Sequence, residues 1–258
     1  MYVLKESQPT LFEEKVYLSK YSILINLPKR IEDEVRTFKK KLSHLIGPYD
    51  AVHSLAHISI LQFICVAEQE DKLIRELASF GLNEKRIRVH LRNFNRFDNS
   101  RTLFIDLENK EGLIKLYQNL CLHLKVHMKG MKGNFKSSLN PHVTIGKNLS
   151  HYQFSLSVEE FLTNQYEKNF ICSHLTLLKS CFDHRHERDY WVKVWEFPLG
   201  RADSGRNIIA EKKQKTEYPI FQDQNNDYDI TFSVSGPTLA DFLLPENNQK
   251  SRVAATVW

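Results

Sequence analysis

The chain has 258 residues, of which 41% are apolar and 26% are charged, and its formal net charge is +5. This composition is typical of a globular protein, and the length suffices for one large domain or two small lobes. The weak positive charge is compatible with a polyanionic ligand but is too small to indicate one. No stretch reaches the ~18 consecutive apolar residues that cross a bilayer, and residues 1–20 lack the apolar core of a signal peptide.

The four cysteines lie within apolar segments, and no Cys-x-x-Cys pair occurs. Reduced, buried thiols are therefore favoured over disulfides or metal ligands at Cys65, Cys121, Cys172 and Cys181. Reduced thiols in a chain without a membrane-spanning segment predict a cytoplasmic location.

The periodicity of apolar residues predicts a first half that runs strand, helix, strand, helix, strand. In the first helix, apolar residues recur every three or four positions, and Gly47 and Pro48 end it. The last strand alternates apolar and polar residues, which is typical of a strand with one wet face. The segments are residues 21–27, 31–46, 55–63, 68–80 and 87–91.

The second half repeats this order. A strand and a helix are followed by a glycine-containing loop, a short strand, a helix and two final strands. The third element of each half carries the tripeptide His-x-Ser/Thr, and this coincidence is the strongest pattern in the sequence. The predicted strands and helices are residues 101–107, 111–127, 142–146, 157–166, 170–178 and 190–197.

The repeat predicts an α+β fold of two pseudo-symmetric lobes, each a small, mostly antiparallel sheet with helices packed outside and an active-site cleft between them. The domain is expected to cover residues 1–200, with lobe one at about 20–97 and lobe two at about 100–199. Residues 201–258 are polar and without periodicity, so a disordered C-terminal extension is predicted.

The two tripeptides are His57-Ile58-Ser59 and His142-Val143-Thr144. Residues i and i+2 of a strand point to the same face, so each tripeptide presents an imidazole and a hydroxyl together. One neutral imidazole can accept a proton from the attacking group, and one protonated imidazole can donate to the leaving oxygen. Both forms are accessible because the pKa of imidazole lies near ~6.5. The hydroxyls can bind the non-bridging oxygens of a phosphodiester, and this chemistry requires no metal or other cofactor.

The octapeptides AHISILQF at 56–63 and NPHVTIGK at 140–147 resemble the two motifs of the two-histidine (2H) phosphoesterase superfamily. That superfamily includes the 2′,5′ RNA ligase-like proteins and the cyclic phosphodiesterases. The resemblance covers about residues 20–200, and the histidines lie 85 positions apart, as in the family. Ser59 stands where threonine is commoner, which leaves a hydroxyl in place.

The resemblance implies cleavage, or reversible ligation, of 2′,3′-cyclic phosphates or 2′,5′-phosphodiester bonds in RNA ends or small nucleotides. His57 and His142 would be the catalytic acid and base, in an order that the sequence leaves open. Ser59, Thr144 and Lys147 would bind the substrate, although a solvated lysine at the end of a strand is an equal alternative for Lys147. The expected protein is a monomer that needs no cofactor and binds no membrane.

Two other interpretations stay open. The same cleft could bind RNA ends or nucleotides without turnover. Alternatively, the extension could make this an interaction protein, with short apolar runs at 230–234 and 239–244 that dock on a partner. A turnover assay with histidine variants distinguishes the first from the enzyme, and deletion of the extension tests the second.

Overall fold

A computed structural model of the chain describes residues 16–133, 140–184, 188–200 and 219–221. These residues all belong to one compact unit, Met1–Asn225. The strands are β1 (Leu18–Asn26), β2 (His57–Val66), β3 (Ile87–Phe97), β4 (Thr102–Leu107), β5 (Lys132–Gly133), β6 (Val143–Gly146), β7 (Glu167–Cys172), β8 (His174–Asp183), β9 (Arg188–Pro198) and β10 (Pro219–Phe221). The helices are α1 (Lys29–Ile46), α2 (Glu70–Asn83), α3 (Glu111–His127) and α4 (His151–Phe161).

The described strands form one ten-stranded sheet with the order β10-β9-β8-β1-β2-β6-β4-β3-β7, and β5 pairs with β2 off this path. All of its pairings are antiparallel, so the predicted α+β class with a mostly antiparallel sheet is confirmed. The strands that carry the tripeptides, β2 and β6, are neighbours at the centre. They join the two half-sheets through the pair Ile58 and Val143.

Each half-sheet contains strands from both halves of the sequence. The third predicted strand, β3, pairs with β4 and β7, whereas β8 and β9 lie beside β1. The contiguous ranges 20–97 and 100–199 therefore do not coincide with the half-sheets. Apolar periodicity identifies a strand but not its hydrogen-bonding partner, so this exchange has no signature in the local sequence.

The predicted strand at 170–178 is in fact the end of β7 and the start of β8, separated by Ser173. These two strands pair at distant places in the sheet, because six interstrand steps lie between them. In a flat sheet six steps would span roughly 29 Å, whereas two residues of chain span at most about 7 Å. The sheet therefore curls until the starts of β8 and β3 approach each other.

The helices pack on one face of the sheet, with α1 against α4 and β6, and α2 against α3 and β9. Their apolar residues share one buried cluster with the inward side chains of the strands, including Ile58 and Val143. Helix α4 begins six residues before the predicted 157 because Ser150 and Gln153 form a capping box there. The other helix bounds agree with the prediction to within about three residues, and α3 agrees at both ends.

The described cysteines are all free thiols, as predicted: Cys65, Cys121 and Cys172 are buried and Cys181 is half-buried. No helix in the described part of the chain is long and apolar enough to cross a membrane. Of the C-terminal extension, only β10 is described, and it adds a short strand beside β9. The apolar runs at 230–234 and 239–244 lie outside the described residues, and the cytoplasmic location stays a prediction.

Candidate active site

The register of the two central strands brings the tripeptides together. Because Ile58 pairs with Val143 in an antiparallel ladder, His57 comes to lie opposite Thr144 and Ser59 opposite His142. All four polar side chains therefore point to one face, which we call the site face, away from the helices. Ile58 and Val143 are fully buried beneath them, whereas the four polar residues are half-buried.

Both tripeptides are followed by a β-bulge at the same position. Against β1, Ser59 pairs with Leu24 and Leu61 with Ile23, which leaves Ile60 as the extra residue. Against β4, Thr144 pairs with Phe104 and Gly146 with Leu103, and this leaves one extra residue again. The pattern of burial along the five residues 58–62 is the same as that along 143–147. The duplication predicted from element order thus extends to the local backbone.

The two imidazoles are held in the same way. Nδ1 of His57 lies 2.9 Å from the carbonyl oxygen of Leu55, and Nδ1 of His142 lies 2.8 Å from that of Asn140. A carbonyl can only accept, so Nδ1 carries the proton in each ring and donates it. Each Nε2 is then the ring nitrogen that can exchange a proton with a ligand. It accepts a hydrogen bond when the ring is neutral and donates one when the ring is charged.

Aromatic rings surround His142. Its ring lies 5.1 Å from that of Phe97, edge to face, and 5.0 Å from that of Phe104. Burial lowers the pKa of His142 below its ordinary value, and this effect outweighs the hydrogen bond to Asn140, which raises it. The positive charge of Lys110 lowers the pKa further, and the negative charge of Asp106 raises it. His142 is therefore a neutral base over a wider range of pH than an exposed histidine.

Lys110 and Asp106 hold the residue whose carbonyl orients His142. The ammonium of Lys110 donates to Asn140 Oδ1 at 2.7 Å and lies 2.5 Å from Asp106 Oδ1. Burial alone would raise the pKa of Asp106, but hydrogen bonds from Lys110, Asn95 and the backbone hold it below its ordinary value. Asp106 is therefore a fixed negative charge, and Asn140, whose carbonyl orients His142, is itself held in place.

A different polar group lies beside His57. Asn26 is its partner in the β1–β2 register. The side-chain amide of Asn26 donates to Thr176 Oγ1 at 2.9 Å and to Glu196 Oε1 at 3.4 Å. These three residues, together with His174, line a pocket between the end of β1 and the β7–β8 junction. A ligand held at His57 would therefore have a polar pocket next to it.

Lys147 lies directly after β6 in a half-buried position. Since the bulge turns Gly146 toward the helix side, where a Cβ atom would meet Leu42, the next residue is expected on the site face. The sequence did not identify Asn26, Asp106 or Lys110. No local signal marks the last two, because Asp106 lies in β4 and Lys110 just before α3, so helical spacing does not relate them.

A family model described as the 2′-5′ RNA ligase superfamily matches residues 27–181, more than half of the chain. The chain belongs to the 2′-5′ RNA ligase superfamily. The resemblance to the 2H phosphoesterases is therefore confirmed, and membership of this superfamily supports an activity of the phosphodiesterase or ligase type.

Several known proteins are similar to this superfamily member. A protein of Halalkalibacterium halodurans that is named as a phosphoesterase is 25% identical over 190 residues, which cover 71% of this chain and 99% of the relative. Escherichia coli LigT in complex with 3′-AMP has a TM-score of 0.55 at 16% identity, with coverage of 71% of this chain and 99% of LigT. A Thermus thermophilus protein has a TM-score of 0.53 at 15% identity, with coverage of 72% and 100%. The solved structures show the fold.

Proposed function

We propose that this chain is a phosphodiesterase that cleaves, or reversibly forms, 2′,3′-cyclic phosphate or 2′,5′-phosphodiester bonds in RNA ends or nucleotides. His57 and His142 act as its acid and base. The observation that carries the proposal is the matched pair of imidazoles on one face, each with Nδ1 held by the carbonyl two residues earlier. Binding of 3′-AMP and NADP⁺ by LigT supports a nucleotide ligand.

The spacing of the two histidines suits one phosphate between them. His57 and His142 are diagonal neighbours across the β2–β6 pair. Such neighbours have Cα atoms roughly 7–8 Å apart, within reach of long side chains on a common ligand. A phosphorus centre above Ile58 and Val143 would therefore have one imidazole on each side, which is the arrangement that in-line displacement requires.

We assign the roles of the two imidazoles from the environment of His142. Burial lowers the pKa of His142, which favours its neutral form and supports this ring as the base. In hydrolysis, Nε2 of His142 takes a proton from the attacking water as the new P–O bond forms. The bond from phosphorus to the leaving ribose oxygen breaks, and protonated His57 donates its Nε2 proton to that oxygen. Exchange with solvent restores both rings, and the reverse sequence is ligation.

Ser59 and Thr144 complete the proposed site. Ser59 and Thr144 form the other diagonal of the β2–β6 pair. Their hydroxyls donate to the non-bridging oxygens, on which negative charge accumulates in the transition state. Lys147 would neutralise part of the phosphate charge from the end of β6. The groups that this scheme uses are imidazoles, hydroxyls and an ammonium, so no step in it requires a metal ion.

The test is a turnover screen of 2′,3′-cyclic mononucleotides, 2′,5′-linked dinucleotides and RNA with a cyclic phosphate end, in the presence of EDTA. We expect His57→Ala and His142→Ala each to lower kcat at least ~100-fold, because each removes one proton transfer. Ser59→Ala and Thr144→Ala are expected to lower kcat by about 10–100-fold with a smaller change in KM. Thermal unfolding checks that every variant is folded.

His53→Ala is the matched control, since His53 is exposed and lies four residues before His57. It should leave kcat unchanged. If the wild type binds these nucleotides but consumes none of them, the protein is a non-catalytic binding module and the proposal is wrong. Turnover that survives in both histidine variants would place the chemistry elsewhere.

A further inference from the structure

A second cluster of histidines lies on the helix side of the sheet. Glu76 projects from α2, and His123 and His127 occupy successive turns at the end of α3. The three potential ligand atoms all lie within 4.8 Å of one another. Helix α3 packs against β2 and β3 on the face opposite the candidate active site, so the sheet separates this cluster from His57.

The distances within the cluster fit coordination to a single ion. Nε2 of His123 lies 3.1 Å from Oε2 of Glu76, and Nδ1 of His127 lies 3.6 Å from the same oxygen. Zinc–ligand bonds of about 2.0–2.1 Å in tetrahedral geometry place ligand atoms about 3.3 Å apart. The observed separations lie on either side of that value.

One ligand atom has an ion-pair contact but no hydrogen bond to any residue that the structure describes. Nε2 of His123 is buried, and Oε2 of Glu76 lies 3.1 Å from it. That contact does not have the geometry of a hydrogen bond, and no other described residue supplies one. A buried polar atom without a hydrogen bond is rare, because its desolvation is not compensated. The His123 ring packs against Phe80 and lies 4.5 Å from the ring of His127. An ion bound by Nε2 would supply the missing partner.

We propose that Glu76, His123 and His127 form a site for a divalent transition metal, with zinc as the first candidate. Two imidazoles and one carboxylate suit zinc, nickel or cobalt, whereas magnesium and calcium prefer oxygen ligands. Three protein ligands leave the fourth position to water. The sequence signal for this site is the pair of histidines four residues apart on a helix, which places both on one face.

The ion would crosslink α2 to α3. The two helices are already joined by a hydrogen bond of 2.9 Å from Asn119, midway along α3, to Glu84, just after α2. A metal at Glu76 would add a second link along the same interface, and it would stabilise the folded state because the unfolded chain lacks a preformed site. This role is separate from the proposed catalysis, which needs no metal.

The experiment is a titration of the metal-free full-length chain with zinc, with a chromophoric chelator as competitor. A parallel titration with cobalt is followed by visible absorption. Because the chain contains 11 histidines, the comparison is between two double variants. His123→Ala with His127→Ala removes the proposed ligands, whereas His44→Ala with His151→Ala removes two exposed histidines elsewhere. Glu76→Gln removes the anionic ligand while it keeps the shape of the side chain.

We expect one zinc ion per chain in the wild type and in the His44/His151 variant, together with a rise in Tm on zinc addition. The His123/His127 variant should lose this binding and the Tm response. Loss of an outer-shell partner lowers metal affinity ~10–100-fold. Because Glu76 is proposed to bind the ion directly, Glu76→Gln should lower the affinity by more than that. If the double variant does not fold, His127→Ala alone carries the test, since His127 is about half exposed. Equal zinc affinity in the wild type and the folded ligand variants, or no binding by the wild type, overturns the proposal.

Discussion

Lys39 is a lysine in the interior of the domain, and its replacement by methionine is expected to be costly. Its side chain on α1 is only 2% exposed, and the ammonium donates to Ala51 O at 2.9 Å, to Ser54 O at 2.8 Å and to Ser54 Oγ at 2.8 Å. These three bonds use every donor of the ammonium. They hold the segment that leads to Leu55, whose carbonyl orients His57.

The magnitude follows from what the substitution leaves behind. Methionine preserves most of the packing of the stem but removes all three donors. The hydroxyl of Ser54 still donates to Ala51 O at 2.9 Å, so Ser54 O is the acceptor that is left without this donor. An unsatisfied buried acceptor costs about 1–3 kcal/mol, and loss of the remaining bonds to a charged donor adds to it. We expect Lys39→Met to lower the free energy of unfolding by about 3 kcal/mol, since relief from burying the ammonium offsets part of the loss.

Urea unfolding measures this change, with Lys40→Met as the matched control. Lys40 is the next residue on the same helix and is exposed, so its replacement should alter stability by less than about 0.5 kcal/mol. For a domain of this size, the Lys39 variant should melt roughly 6–12 °C lower. Its kcat should also fall, because the Leu55 carbonyl loses its support. Equal stability of the two variants would refute the view that these hydrogen bonds hold the segment before His57.

Two further changes test the site and the packing. Asp106→Asn should move the acidic limb of the kcat/KM profile to lower pH. Asp106 raises the pKa of His142, so without it the ring stays neutral at lower pH. A limb that moves to higher pH, or one that moves equally in the exposed control Glu108→Gln, contradicts this role. Gly81→Ala should destabilise the domain by about 1–3 kcal/mol in urea unfolding, because the added Cβ would lie 2.6 Å from the carbonyl oxygen of Pro198. Unchanged stability would contradict this, because it would mean that α2 and β9 move apart to accommodate the added methyl group without cost.

The sequence predicts most of the elements but not how they combine. Periodicity located α1, α2 and α3 because their apolar residues recur at helical spacing. It located β1 and β2 because their apolar residues form short runs or alternate with polar ones. It could not assign β3 and β8 to the opposite half-sheets, because strand pairing depends on distant residues. It placed α4 late, because the Ser-x-x-Gln spacing of Ser150 and Gln153, which is a sequence signature of a capping box, was overlooked.

For the candidate site, the tripeptides were readable because His57 and His142 occupy equivalent places in a repeated order. The similarity of the two halves predicts that the tripeptides lie on neighbouring strands. The pairing of Ile58 with Val143 agrees with this prediction. The supporting groups were not readable. Lys110 and Asp106 are an ordinary charged pair in the sequence, and only the fold brings Lys110 into contact with Asn140.

The paired bulges have a consequence for how these strands can change. Before the bulge in β2, even-numbered positions face the helices, as at Ile58 and Ile60; after it, odd-numbered positions do, as at Leu61 and Phe63. Loss of Ile60 would therefore remove the bulge, restore regular alternation and leave Leu61 and Phe63 facing the helices. The strand can therefore lose this one residue without exposing its other apolar side chains. Because the extra residue follows each tripeptide, its loss would leave the hydroxyl of each copy two residues from its imidazole.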